Sequence, residues 1–158
     1  MWRRGLAAAV VVALLDQLSK WGVRAYFADS GCVPQRARIS SFFDLVITCN
    51  RGMSFGLFND GGGLNALVFS LVAAAIVLLL VFWLSRITSP FLAMAIGLIV
   101  GGAAGNVIDR LRFGAVVDFL YFHLGAWYWP AFNFADSAIS VGVVAMLIDG
   151  LLLHKEAH

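Results

Sequence analysis

Apolar residues run through this chain in four long blocks, each broken by a short polar burst. The first block begins at Gly5 and is apolar to Leu15, then carries Asp16, Gln17, Lys20 and Arg24 through its far half to Tyr26. The second, Leu64 to Leu84, holds no charged residue at all. At about 1.5 Å per residue it matches the roughly 30 Å hydrocarbon core of a bilayer. The third, Phe91 to Ile108, carries Gly97, Gly101 and Gly105 at four-residue spacing, a small-residue stripe that admits a close neighbouring helix. The fourth runs from Ser137 to Leu153. The pattern predicts transmembrane helices over about 5–26, 64–84, 91–108 and 137–153 of one integral-membrane domain spanning 1–158, with segments 28–63 and 109–135 outside the bilayer on one side.

The segments between blocks have their own signatures. Ala28 to Gly63 is the least apolar, and within it Phe42 to Cys49 is rich in aromatic and β-branched residues, which predicts a strand of a small surface sheet. Asn59, Asp60, Gly61, Gly62 and Gly63 read as a turn or mobile join. Phe119 to Phe134 packs eight aromatics together with Pro130, too short and too interrupted for a span. Trp127, Tyr128 and Trp129 suit a membrane–water interface, and the stretch is expected to be a short helix or loop in the headgroup layer.

Composition agrees. The chain is 61% hydrophobic and 13% charged, too little polar surface to cover a soluble domain of 158 residues. Its basic residues are scattered and its net charge is only +2, so no nucleic-acid groove is expected. The basic, then apolar start imitates a secretory signal peptide, yet Asp16, Gln17 and Lys20 follow where a small-residue cleavage site belongs. Four spans place both termini on one side. Arg3, Arg4, Arg86 and Lys155 in the short flanks make that side the cytosol. Cys32 and Cys49 fall in one inter-span segment; they either pair, if that segment lies outside the cytosol, or stay as packed thiols.

Acids at the ends of hydrophobic spans are costly and usually functional. Asp118 and Asp136 flank the aromatic stretch, which can fold them together. Two carboxyls in one site share a proton, so one can activate water while the other donates. Local capping is the competing explanation, since Asp136 falls in a first helical turn. Asp109, Arg110 and Asn106 suit a supporting ion-pair network. Asp16, Lys20 and Arg24 share a helical face, and an interfacial pair with Lys20 and Arg24 snorkelling outward is favoured over Asp16 and Lys20 bracing a site or gripping a lipid headgroup. Gly52-Met53-Ser54-Phe55-Gly56 matches a nucleophile-elbow pattern but lacks a nearby base, which leaves Ser54 a turn residue. Asp109, Asp118, Asp136 and His123 lack ligand spacing, so no metal is expected. Two other functions compete: a metal-dependent lipid phosphotransferase, and a proton-coupled transporter using the acids as a relay. Acids clustered at span ends, without an internal repeat, count against the transporter.

Five motifs occur in order. Asp16-Gln17-Leu18-Ser19-Lys20 resembles D-Q-x-x-K, Asn50 to Gly56 resembles N-x-G-x-x-F-G, and Gly101 to Arg110 resembles G-G-A-x-G-N-x-I-D-R. Val116 to Phe119 resembles V-x-D-F, and Phe132 to Asp136 resembles F-N-x-A-D. Together they resemble the bacterial lipoprotein signal peptidases, or signal peptidase II. The resemblance implies an all-α membrane protein of four transmembrane helices with a small extracytoplasmic β-sheet, the cradle, and a short interfacial helix. It implies a cofactor-free aspartic endopeptidase of the bacterial cytoplasmic (inner) membrane, with its site on the extracytoplasmic face. The enzyme would remove signal peptides from prolipoproteins by cutting before a diacylglyceryl cysteine. Asp118 and Asp136 match the catalytic pair; Asp16, Lys20, Asn50, Gly52, Asn106, Asp109, Arg110 and Asn133 match positions that support the site or contact substrate. The implied partners are prolipoproteins, membrane lipids and globomycin-type inhibitors, acting on a monomer. Lipidated substrate also needs an apolar groove, which a glycine stripe between spans can leave.

Overall fold

The computed structural model describes residues 1–51 and 63–153. The order of elements is α1 (Trp2–Tyr26), β1 (Gln35–Arg38), β2 (Phe43–Asn50), α2 (Gly63–Leu84), α3 (Pro90–Phe113), β3 (Val116–Leu124), β4 (Trp127–Tyr128) and α4 (Phe134–Ile148), which continues into a π-helical turn, Asp149–Leu153. Among the described residues, four helices are long and apolar enough to cross a membrane. Their outward faces carry bare hydrophobics such as Leu14, Leu18, Leu78 and Val141, the surface expected toward lipid.

Helix α3 is the centre of the bundle, packed by α1, α2 and α4. Its glycines explain how. A methyl group added at Gly97 or Gly101 would run into the α1 backbone at Gly5 or Ala9, and one at Gly105 into the Asp16 carboxylate. On the other flank, a Cβ at Gly102 would stand 2.5 Å from the Ala135 carbonyl of α4. The stripe therefore brings helices into contact, and no acyl groove lies along Gly97, Gly101 and Gly105 themselves, contrary to the sequence expectation. Gly101→Ala should lower stability by about 1–3 kcal/mol through overpacking, read as a lower Tm in detergent. Gly22, with nothing within 4 Å of its would-be Cβ, should tolerate alanine.

Local signals set the ends of α3 and α4. Ser89 accepts the Leu92 N–H at 3.2 Å ahead of Pro90, and Gly114 stops the helix in a left-handed conformation at φ 69°. So α3 runs past the expected Ile108 and keeps Asp109 and Arg110 on its last turns. Asn133 caps α4 in a capping box with Asp136. At the far end of the bundle, Ser89 also donates to Asp149 at 3.3 Å, tying the start of α3 to the end of α4.

The strand expected over Phe42–Cys49 appears as β2. It belongs to a four-stranded antiparallel sheet in the order β1-β2-β3-β4. The aromatic stretch from Phe119 is a correction: it forms β3 and β4 around a turn with Gly125 at φ 59°, not a short interfacial helix or loop. Val116, Val117, Tyr121 and Phe122 favour an extended backbone, and β2 offers β3 an edge to pair with. A bridge from Leu120 to Phe132 brings the chain back to the start of α4. Cys32 and Cys49 are joined in a disulfide, which ties the segment after α1 to β2.

Candidate active site

The C-terminal half of α1, the last turns of α3, the start of β3 and the first turn of α4 meet where the bundle joins the sheet. The floor of this junction is ionic. Lys20 Nζ lies 2.8 Å from Asp16 Oδ2 and 2.7 Å from Asp109 Oδ2. Asp16 is 0% exposed and Lys20 3%, so the lysine points inward and does not snorkel. Only Arg24 of that face reaches outward, to Asp29 at 2.6 Å. Both acids use their second bonds on backbone. Asp16 Oδ1 accepts the Ala135 N–H at 3.0 Å, an orphan donor in the first turn of α4. Asp109 Oδ2 accepts the Val117 N–H at 3.1 Å. Each thus fixes the residue beside one of the two key acids. Gln17 stitches the floor together, donating to Asp109 at 2.9 Å and to Asp16 at 3.2 Å.

Above the floor sits an amide layer. Lys20 donates to Asn106 Oδ1 at 3.1 Å, which leaves the Asn106 amide nitrogen to donate to Asp136 Oδ1 at 2.9 Å. Asn133 bonds both acids. Its Nδ2 donates to Asp118 Oδ1 at 2.8 Å, its Oδ1 accepts the Asp136 N–H at 3.0 Å, and its own N–H donates to Asp136 Oδ2 at 3.2 Å. Asn50, at the end of β2, donates to Asp118 Oδ2 at 3.3 Å. Burial, with the negative charge of Asp136 beside it, pushes the Asp118 carboxyl up from 3.8 to about 7, against the pull of Asn50, Asn133 and Lys20. Arg110 stands next to both acids; its buried Nε has no hydrogen-bond partner among the described residues.

Of the sequence candidates, Asp16, Lys20, Asn50, Asn106, Asp109, Arg110, Asn133, Asp118 and Asp136 come together here. Gly52 and Ser54, with the turn signals at 59–62 and the tail residues His154, Lys155 and His158, lie outside the described residues. His123 does not join the acids. Its Nε2 lies 3.2 Å from Asp44 Oδ2, which Arg36 also holds at 2.5 Å, so this trio clamps β1, β2 and β3. Asp44 is fully buried, which works against its charge, yet His123 and Arg36 outweigh that and hold its carboxyl below the usual range. Sequence reading overlooked Asp44 and the role of Gln17. A lone acid inside an otherwise apolar strand was the available signal for Asp44.

Helices long and apolar enough to span a bilayer, with Asp118 and Asp136 bridged by Asn133 where the bundle meets the sheet, define an integral membrane protein with a paired-carboxylate site. The chain belongs to the signal peptidase II family: the family described as Signal peptidase (SPase) II matches residues 8–152. A lipoprotein signal peptidase of Methylorubrum extorquens (strain PA1) is 45% identical over 150 residues, 95% of this chain and 86% of the relative. One from Burkholderia cenocepacia (strain HI2424) is 45% identical over 147 residues, 92% of this chain and 86% of its own. The fold is similar to that of a bacterial membrane enzyme solved by the in meso method at 2.3 Å resolution. The TM-score is 0.77 at 27% identity, covering 97% of this chain and 90% of the other.

Proposed function

We propose that the protein is an aspartic endopeptidase that removes the signal peptide from diacylglyceryl-modified prolipoproteins, cutting before the lipidated cysteine. The observation that carries this reading is Asn133, whose one side chain and backbone bond both Asp118 and Asp136. Asp136 accepts two hydrogen bonds in the first turn of α4, where the helix dipole favours an anion. Asp118, pushed up to about 7, holds the proton. Asp136 takes a proton from water as it adds to the scissile carbonyl; a proton is then delivered to the departing amine of the cysteine. The C–N bond breaks, leaving a carboxylate on the signal peptide and a free amine on the lipoprotein.

Asp16, Lys20, Asn106, Asp109, Asn50 and Asn133 hold the acids in place. Gly52, carried over from the motif, supports the site or contacts substrate. Arg110, beside the acids and with a spare donor, is positioned to receive a substrate carbonyl. The domain occupies 1–158 of the bacterial cytoplasmic (inner) membrane as a monomer, with both termini in the cytosol. The Cys32–Cys49 bridge supports an oxidising, extracytoplasmic location for the site.

The test is incubation of purified protein with a diacylglyceryl-modified precursor. Processing should persist in EDTA without added divalent cations and stop with globomycin. Loss of activity in EDTA, restored by Mg²⁺, would favour the lipid phosphotransferase chemistry and a metal-bound site.

A further inference from the structure

The glycine stripe is filled, and the cavity where the C-terminal ends of α1 and α3 meet is lined by charged Lys20, Arg24, Asp29, Asp109 and Arg112, so neither offers acyl chains an apolar seat. A groove of about 740 Å³ opens between the chain return Trp127–Phe132 and the outer face of α4, with Asp136 on its inner wall. The return is anchored: Trp129 N–H donates to the Phe122 carbonyl at 2.9 Å, and Phe132 pairs with Leu120. Across from it stand Ser137, Ser140 and Val141. Both serine hydroxyls are spent on the helix itself, donating to the carbonyls of Asn133 and Asp136 at 3.1 and 2.8 Å. The walls therefore present mostly carbon.

We propose that this groove seats the acyl chains of the lipidated cysteine; the inference rests on the peptidase reading above. Two features favour chains over the signal-peptide helix. A helix about 10 Å across fills roughly 120 Å³ per residue, so the groove would hold only about six residues of a span near 20. Thin hydrocarbon chains suit such a slot. The groove also leads the right way: Val141 lies five residues past Asp136, about 7.5 Å further along α4. Exposed Trp127 and Trp129 mark its mouth at the interface.

Ser140→Trp and Val141→Trp would fill the groove from exposed positions, with Leu78→Trp on α2 as a lipid-facing control. Precursors carrying dipalmitoyl or dihexanoyl glyceryl cysteine separate chain seating from peptide binding. The groove variants should lose roughly tenfold or more in kcat/KM on the dipalmitoyl precursor and little on the short-chain one, while the control matches wild type on both. Equal loss on both precursors, or no loss on either, would overturn the proposal. A photoreactive dipalmitoyl precursor bound to Asp136→Asn protein should label residues 127–132 or 139–141. Labelling elsewhere overturns the groove whether or not cleavage occurs. Labelling there by a precursor that wild type leaves intact supports the groove and sinks the peptidase reading.

Discussion

Asp118→Asn and Asp136→Asn should each lower kcat/KM on a lipidated precursor by about a thousandfold or more. Asparagine keeps the shape and an acceptor oxygen, so the Asn133 bridge can survive while the titratable proton is lost. The double variant should be scarcely worse than either single one, because the two act as a unit. Asp118→Asn should also leave the protein at least as stable as wild type near pH 8. With its folded value raised from 3.8 to about 7, Asp118 binds a proton in the folded state that the unfolded chain has already released. Stability falls as pH rises through that window and the cost persists above it. An inactive variant that melts no lower than its parent separates chemistry from folding. Variants that fold and still process precursor at the parental rate would remove the dyad from the mechanism.

The second large effect is structural. Lys20→Met should cost about 3–5 kcal/mol, because Asp16 and Asp109 would stay buried without the cation between them. It should also cut activity beyond what unfolding explains. Asn106 would lose the donor that fixes its amide, and with it the bond to Asp136. Adding Asp16→Asn to Lys20→Met removes one of the two stranded anions and should recover part of the lost Tm. A Lys20→Met protein as stable as wild type, or a double variant less stable than the single, would contradict the buried-triad account.

The spans were legible because charge-free runs of membrane length have few alternative readings, as Leu64–Leu84 illustrates. The residues of the site were legible through their motifs, since spacing alone left Asp118 and Asp136 open to local capping. What stayed hidden depended on partners distant in sequence. Phe119–Phe134 looked like a short interfacial helix or loop because its hydrophobicity has no strand alternation; pairing with β2 decided its form. Lys20 looked like a snorkelling side chain because its counter-ion Asp109 sits on another helix. The glycine stripe signalled close approach correctly, but whether it bounded a groove depended on how tightly α1 filled it. The end of α3 was readable from Gly114, whose left-handed stop was overlooked in favour of the first polar residues.

The most direct test of the paired acids is the pH dependence of kcat/KM for wild-type protein, which reports groups of the free enzyme. One carboxyl must carry a proton and the other must not. The rate should therefore fall above about 7 as Asp118 loses its proton. A profile flat from pH 5 to about 9, for a precursor whose cleavage chemistry limits the rate, would contradict it.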